Sequence, residues 1–440
     1  MFVRSQNYNF LIFAIIFALP LMADFSFEYD AGIRAGILPD GGFEVFLGGG
    51  HLENTGSTED TYQLTLDLSD LPDGWSGNFC AGSMCYPTEA VISVLAGRNT
   101  EVSVHIFPDS PGAGTATFII SSSRAERTDT IMYWASMNPE ILVINDGGRA
   151  EISQWYSNSL SSIGKIWGIL NRGDVLLESL DMSRYSSLIW FTGPNYDDVF
   201  DEADTAFLSE YLSGGGKFIL SSQGAAPFCE TSGLSEWMET YLKAELIDSD
   251  SGFTAFYGLP GTVFDGISGA LGCMGGPEEF DMPSAITPLS GAISLMEYEA
   301  VGDPIAAIGH YSDIGSKLVF FGFPLEAISF TEVRDSVISK AIAYIDGAGS
   351  VQEFSPNPSQ IAISAYPNPF NSSVKIDFSE SAKEISIFDI NGNLIEKLDL
   401  NGNSLIWNAT NTFGEEVPAG IYFVKTDNEN IPIGKVLFLK

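Results

Sequence analysis

Between residues 138 and 347 the apolar residues stop alternating with polar ones and gather into short unbroken runs, each closed by a polar or glycine turn. Glu140-Ile141-Leu142-Val143-Ile144-Asn145-Asp146-Gly147-Gly148 is the first of them. Ser187-Leu188-Ile189-Trp190-Phe191-Thr192-Gly193, Lys217-Phe218-Ile219-Leu220-Ser221-Ser222 and Lys317-Leu318-Val319-Phe320-Phe321-Gly322 repeat it. A strand that is apolar on both faces has no solvent side, so it belongs in a parallel sheet covered above and below. The clearest covering helix is expected over 201–212: acidic at its start, apolar at Ala206, Phe207, Tyr211 and Leu212, and stopped by Gly214-Gly215-Gly216. Strand and helix in alternation predict a central α/β doubly wound parallel sheet. Ligands of such sheets sit outside the carboxyl ends of the strands. Loops 145–149, 192–196, 221–226 and 323–326 should therefore line one crevice, with Asn145, Asp146, Gly147, Thr192, Ser222, Gln223 and Glu326 as candidate binding residues.

On either side the period is two. Residues 24–137 hold strand-like runs at 41–47, 61–68, 100–107 and 114–121, separated by Gly, Pro, Asp and Ser, and predict an all-β sandwich. Trp75 in Leu71-Pro72-Asp73-Gly74-Trp75 reads as a core residue there. Residues 361–440 alternate again at Val374-Lys375-Ile376-Asp377-Phe378 and Ile385-Ser386-Ile387-Phe388-Asp389-Ile390. Asn391-Gly392 and Asn401-Gly402 stand where two-residue hairpin turns want positive φ. Between 348 and 360 lies a Pro- and Ser-rich linker. The chain is thus expected to be multidomain, with a sandwich at each end.

The first 23 residues read as a signal peptide: Arg4, an apolar core from Phe10 to Met22 broken by Pro20, and Ala23 at the cleavage point. That core is too short to span a bilayer, and no later segment is apolar for long enough, so no transmembrane anchor is expected. Four cysteines in an exported chain predict two disulfides, Cys80 with Cys85 and Cys229 with Cys273. No histidine or further cysteine stands close enough in sequence for a zinc site. The net charge of −37 opposes nucleic acid and anionic lipid as partners. Asp197, Asp198, Asp201, Glu202 and Asp204 crowd one stretch and have two readings, a calcium site or charge suited to a helix N-terminus. Asp248-Ser249-Asp250-Ser251-Gly252 lacks the spacing and closing glutamate of an EF-hand loop. No other cofactor is expected, since neither Asp146-Gly147-Gly148-Arg149 nor Gly214-Gly215-Gly216 matches a nucleotide-binding glycine motif.

Two resemblances add to this. Ala365-Tyr366-Pro367-Asn368-Pro369-Phe370-Asn371, Val417-Pro418-Ala419-Gly420-Ile421-Tyr422-Phe423-Val424-Lys425 and Gly434-Lys435-Val436-Leu437-Phe438-Leu439-Lys440 resemble the type A C-terminal sorting domain of the bacterial type IX secretion system. The strand–Asn-Gly–strand order is also similar to the FlgD-type Ig-like domain. The resemblance implies secretion to the medium or the cell surface, with the type IX machinery as a partner and an unknown extracellular ligand or protein as another. The N-terminal sandwich likewise looks like the Ig-like domains of secreted bacterial proteins.

The central region resembles the class I glutamine amidotransferase-like fold. That family carries a nucleophilic Cys in Gly-x-Cys-x-Gly and a His-x-Glu pair on a later strand. Here Leu220-Ser221-Ser222-Gln223-Gly224 puts Ser222 in place of the Cys. Phe323-Pro324-Leu325-Glu326 keeps a glutamate, Glu326, without the histidine. The resemblance then implies a degenerate, non-catalytic domain that binds or scaffolds. Two alternatives remain. One is a serine hydrolase with Ser222, His310 and Glu326 as a triad. The other is carbohydrate binding through Trp155, Trp190, Tyr196 and Trp237, although most of these suit a core.

Overall fold

The computed structural model describes residues 24–29, 34–39, 42–249, 252–272, 282–298, 304–348, 363–378, 384–389, 392–399, 404–426 and 434–439. The expected signal peptide, Cys273, the linker after Ala348 and the Asn401-Gly402 turn lie outside them. The described residues are mostly β, arranged in five sheets and several domains.

The first ten strands are β1 (Phe25–Tyr29), β2 (Ala35–Ile37), β3 (Val45–Asn54), β4 (Asp60–Asp70), β5 (Ser76–Ala81), β6 (Met84–Tyr86), β7 (Glu89–Val94), β8 (Asn99–Phe107), β9 (Gly112–Ser122) and β10 (Arg127–Met137). They form two sheets, ordered β1-β3-β8-β5-β6 and β2-β10-β9-β4-β7. Alternation does the work: Val102, Val104 and Ile106 of β8, Tyr62 and Leu64 of β4, and Ala116, Phe118 and Ile120 of β9 are wholly buried in one shared core. Trp75 is in that core, its Nε1 donating to Ser110 O at 3.1 Å.

The central sheet holds β11 (Ile141–Asn145), β12 (Trp167–Asn171), β13 (Ser187–Phe191), β14 (Lys217–Ser221), β15 (Ala244–Asp248), β16 (Ala255–Gly258), β17 (Ser268–Ala270), β18 (Ala285–Pro288), β19 (Ala292–Tyr298), β20 (Ile305–Tyr311) and β21 (Lys317–Phe321). Its helices are α1 (Ser153–Ser162), α2 (Glu202–Ser213), α3 (Ala225–Thr231), the single turn α4 (Ser235–Trp237) and α5 (Thr331–Ala343). Strands β12-β11-β13-β14-β21 run parallel, and the four apolar runs of the sequence are neighbours within this set. The side chains divide by parity. Ile141, Val143, Ile189, Ile219 and Val319 face α1 and α5, while Leu142, Ile144, Leu188, Trp190, Phe218 and Phe320 face α2 and α3. Both faces are covered, which is why those runs lack polar residues.

The sheet is not parallel throughout, however. Beyond β21 it continues antiparallel as β20-β19-β16-β17, with β18 and β15 attached at β20. These strands were not anticipated, because Ala255–Gly258 and Ser268–Ala270 are too short to set up a period. At the other edge, Trp134 of β10 packs with Tyr156 and Trp167, and its Nε1 donates to Ser157 Oγ at 3.1 Å. Arg34 pairs with Glu151 at 2.5 Å beside it.

The last seven strands are β22 (Ile363–Tyr366), β23 (Val374–Phe378), β24 (Glu384–Phe388), β25 (Leu394–Asp399), β26 (Ser404–Trp407), β27 (Gly420–Thr426) and β28 (Gly434–Phe438). They form two antiparallel sheets, β22-β23-β26 and β25-β24-β27-β28, around a core of their own. Phe423 touches Ala255 and Ala270 of the central sheet, and Lys425 pairs with Glu332 at 3.1 Å.

Candidate functional site

The loops expected to line the crevice do meet at the carboxyl ends of β11, β13, β14 and β21, but they close over one another. A Cβ on Gly224 would lie 2.0 Å from Asn195 O, and one on Gly147 would lie 3.2 Å from Gly193 Cα. Backbone packs on backbone here, and only glycine allows that approach. Of the seven candidate binding residues, Asn145, Gly147, Thr192, Ser222, Gln223 and Glu326 are buried, and Asp146 alone keeps partial exposure.

Ser222 follows β14, its N–H donating to Phe321 O at 3.2 Å. Its Oγ lies 2.6 Å from Thr192 Oγ1 and accepts the N–H of Ala225 at 2.9 Å. The hydroxyl thereby takes the first N–H of α3, whose N-cap position is Gly224. Positive φ among described non-glycine residues occurs at Glu126, Asn138, Lys243 and Ala409, so Ser222 lacks the left-handed backbone that would thrust a side chain out of a strand–helix turn. Asn145 has a similar local duty. Its Nδ2 donates to Arg149 O and Ser153 Oγ, and its Oδ1 accepts the N–H of Gly147, pinning the loop to the start of α1.

Glu326 is buried within a cluster that sequence reading did not foresee. The Tyr156 hydroxyl lies 2.5 Å from Glu326 Oε2 and 2.8 Å from Ser221 Oγ, and Ser221 Oγ accepts the N–H of Leu325 at 2.8 Å. Arg334, also buried, donates to Glu326 O and Ile328 O and lies 4.6 Å from the Trp155 ring centre. Burial raises the Glu326 carboxyl to about 7, against the Tyr156 hydrogen bond and the Arg334 charge, which both hold it down. The cluster ties α1, the end of β14, the loop after β21 and α5 together. Its one sequence trace is Tyr156 at helical spacing between Ser153 and Leu160, all three on the buried face of α1.

Asp146 is the half-buried exception. Desolvation, with the charge of Asp204 adding to it, raises its carboxyl to about 7, while the Trp190 Nε1 donor at 3.1 Å and Arg172 pull the other way. Two carboxylates of the acidic stretch beside it are committed to structure. Asp201 and Asp204 form a capping box at α2, and Arg172 binds both, through Nε to Asp204 and through a terminal nitrogen to Asp201 at 3.0 Å. That is the helix-terminus reading. Among the described residues no group of three or more His, Cys, Asp or Glu is arranged to hold a metal.

Two sequence expectations are overturned. His310 is opposite Leu318 in the β20–β21 ladder, whereas Ser222 follows the register pair Ser221–Phe321. Four residues of strand, on the order of 13 Å, separate those levels. His310 is exposed, with Nδ1 2.7 Å from Gly291 O, so the Ser222–His310–Glu326 triad does not assemble. Cys229 is a free thiol enclosed between α3 and the sheet rather than half of a disulfide, and Cys273 lies outside the described residues. Burial pushes the Cys229 thiol up to about 12. Peptide mapping after iodoacetamide treatment of the folded protein at pH 8 should find Cys229 unmodified, because the thiolate is the reactive species. The Cys80–Cys85 disulfide is formed.

The four aromatic residues weighed for sugar binding are dispersed. Trp190 is in the core, and Trp237 packs on Phe200 with its Nε1 held by Ser209 Oγ. Trp155 lies against Arg334, and the Tyr196 hydroxyl donates to Met282 O.

At the C-terminus the two ends of the last domain are laced together. Asn368 Nδ2 donates to Lys435 O at 3.0 Å, and its Oδ1 accepts the N–H of Leu437 at 2.8 Å. Phe370 exchanges backbone hydrogen bonds with Leu437 and Leu439, and its buried ring meets Trp407 and Phe438. The opening motif and the closing strand are one physical unit. Residues 364–440 match the secretion system C-terminal sorting domain. The sorting domain indicates type IX secretion to the cell surface or extracellular space, and implies contact with that machinery. No helix among the described residues is long and apolar enough to cross a membrane.

No curated protein matches the chain. Among solved structures, it overlaps PorZ, an essential bacterial surface component of the type IX secretion system of Porphyromonas gingivalis. The identity is 22% and the TM-score 0.16, over 18% of this chain and only 11% of PorZ. The N-terminal domain of PorA overlaps at 14% identity and a TM-score of 0.21, over 26% of this chain and 97% of that one. A glutamine amidotransferase from Methylobacillus flagellatus overlaps at 12% identity and a TM-score of 0.32, over 47% of this chain and 95% of that one. Overlaps this slight do not bear on function.

Proposed function

We propose that this type IX cargo is a non-catalytic binding or scaffolding protein. Its three units would be residues 24–137, 138–347 and 361–440, the central one a degenerate amidotransferase-like domain. The observation that carries this reading is the Ser222 hydroxyl. It is buried, its oxygen accepts the N–H that starts α3, it bonds Thr192, and no imidazole stands beside it. A serine without a base is a poor nucleophile, and one without access meets no substrate. Glu326, the other inherited position, is held by Tyr156 in the interior. A partner reaching the carboxyl ends of the strands would meet half-buried Asp146 beside exposed Gly148 and Arg149.

Ser222→Ala is the test. It leaves the N–H of Ala225 and the Thr192 hydroxyl short of a buried partner, so unfolding stability should fall by about 1–3 kcal/mol. Turnover of ester, amide and glutamine substrates should be at background in both proteins. Hydrolysis by the wild type that disappears in the variant would establish a hydrolase instead.

A further inference from the structure

On the outer face of the first sheet, away from the core, four side chains form a line. Val45, Val104 and Ile106 point inward, so Glu44, Ser103 and His105 point out. Cys80 is paired with Ser103 in the β5–β8 ladder and with Cys85 in the β5–β6 ladder, which brings the disulfide to the same face. His105 Nε2 lies 3.7 Å from Cys80 Sγ and 2.9 Å from Ser103 Oγ, while its Nδ1 is held by Glu44 Oε1 at 2.5 Å. Phe46 abuts the ring edge-on at 5.2 Å. Cys85 is exposed and Cys80 half-buried.

We propose that Cys80–Cys85 is an exchangeable disulfide that takes two electrons from an external dithiol, with His105 as the proton donor to Cys80. The asymmetry of the pair assigns the roles. An incoming thiolate attacks the accessible Cys85 Sγ and forms a mixed disulfide with it. The Sγ–Sγ bond breaks, its electron pair leaves on Cys80, and protonated His105 delivers its Nε2 proton to that sulfur. The second thiol of the dithiol then closes on the first, expelling Cys85, which takes up the proton that thiol gives up. The dithiol ends as a disulfide and the protein as two thiols. A leaving sulfur whose negative charge is relieved departs faster, and Glu44 on the far side of the ring balances the imidazolium before the proton moves.

The same imidazole also faces Ser103, and a Ser–His–Glu line invites a hydrolase reading. Strand β8 is hydrogen-bonded on both edges, to β3 and β5. An oxyanion hole needs free N–H donors, and an inner strand has few to offer, whereas a disulfide exchange needs none.

The test uses the mature full-length protein and dithiothreitol, with timed alkylation and peptide mapping to follow Cys80 and Cys85. His105→Gln should slow reduction about a hundredfold, the low end of what a positioned proton donor contributes. Glu44→Gln should slow it several-fold, with the ring still present. In the wild type, acid-quenched reaction with glutathione should place the glutathionyl group on Cys85. A wild-type rate in either variant overturns the proposal, as does glutathione on Cys80. The glutathione mapping needs no substitution, so it decides even if His105→Gln fails to fold.

Discussion

Phe370→Ala is expected to leave the protein behind the outer membrane. The Phe370 ring is buried between Trp407 and Phe438, and its backbone bonds to both Leu437 and Leu439. Truncating a buried phenylalanine costs about 3–5 kcal/mol, from lost burial and the cavity left behind. A domain this small has little more than that to lose. The loss falls where the Tyr-Pro-Asn-Pro opening meets the last strand, so the two parts that mark the sorting domain would separate together. Fractionation of cells and medium, with surface protease treatment of intact cells, measures the outcome. Wild-type surface amounts of a variant whose sorting domain has melted would mean that the secretion machinery reads the segment unfolded. Asn368→Ala, which removes two exposed hydrogen bonds, should have the smaller effect.

The second large effect is a pH dependence from Glu326. Its carboxyl stands at about 7 in the folded protein against 4.5 for an unperturbed glutamate. Between those values the folded state keeps a proton that the unfolded state has already released. Stability contributed by this group is therefore full below about pH 4.5, falls as pH rises, and is lost above about 7. Each pH unit costs about 1.4 kcal/mol, so the central domain should lose about 3 kcal/mol between pH 4.5 and pH 8. Asp146, also raised to about 7, acts in the same direction. Urea unfolding followed by the emission of buried Trp167 and Trp190 should show the loss. Glu326→Gln can still accept from Tyr156 and cannot ionise, so the share due to Glu326, about 3 kcal/mol, should vanish and leave that of Asp146. An identical slope in the variant would place the titration elsewhere.

How far the sequence could be read depended on the kind of interaction. Long periodic runs spoke clearly: the parallel core β11-β13-β14-β21, the capped helix α2 and the alternating strands of both flanking sandwiches follow from one-dimensional burial patterns. The strands β16, β17 and β18 did not, because three or four residues are too few to set up a period. The site was legible as a set of loops and not as a geometry. Tyr156, Ser221 and Arg334, which hold Glu326, come from α1, β14 and α5, and no spacing in the sequence links them. His310 was set beside Ser222 only as the one nearby histidine in the sequence, while strand register carried it to the other end of the strands.

The line at Glu44, Ser103, His105 and Cys80 shows the same division. Alternation puts Ser103 and His105 on one face of β8, but only sheet pairing brings the disulfide and the glutamate to them.

By itself, the sequence determined the secretion route and the division between a two-sided parallel core and one-sided sandwiches. Address motifs and burial periods are local properties of a chain. Tertiary structure alone decided that Ser222 is buried against Thr192 and the start of α3, that Glu326 is held by Tyr156 in the interior and that His105 attends a disulfide. A hydroxyl, a carboxyl or an imidazole takes its role from what stands within about 3 Å of it, and here those neighbours come mostly from distant parts of the chain.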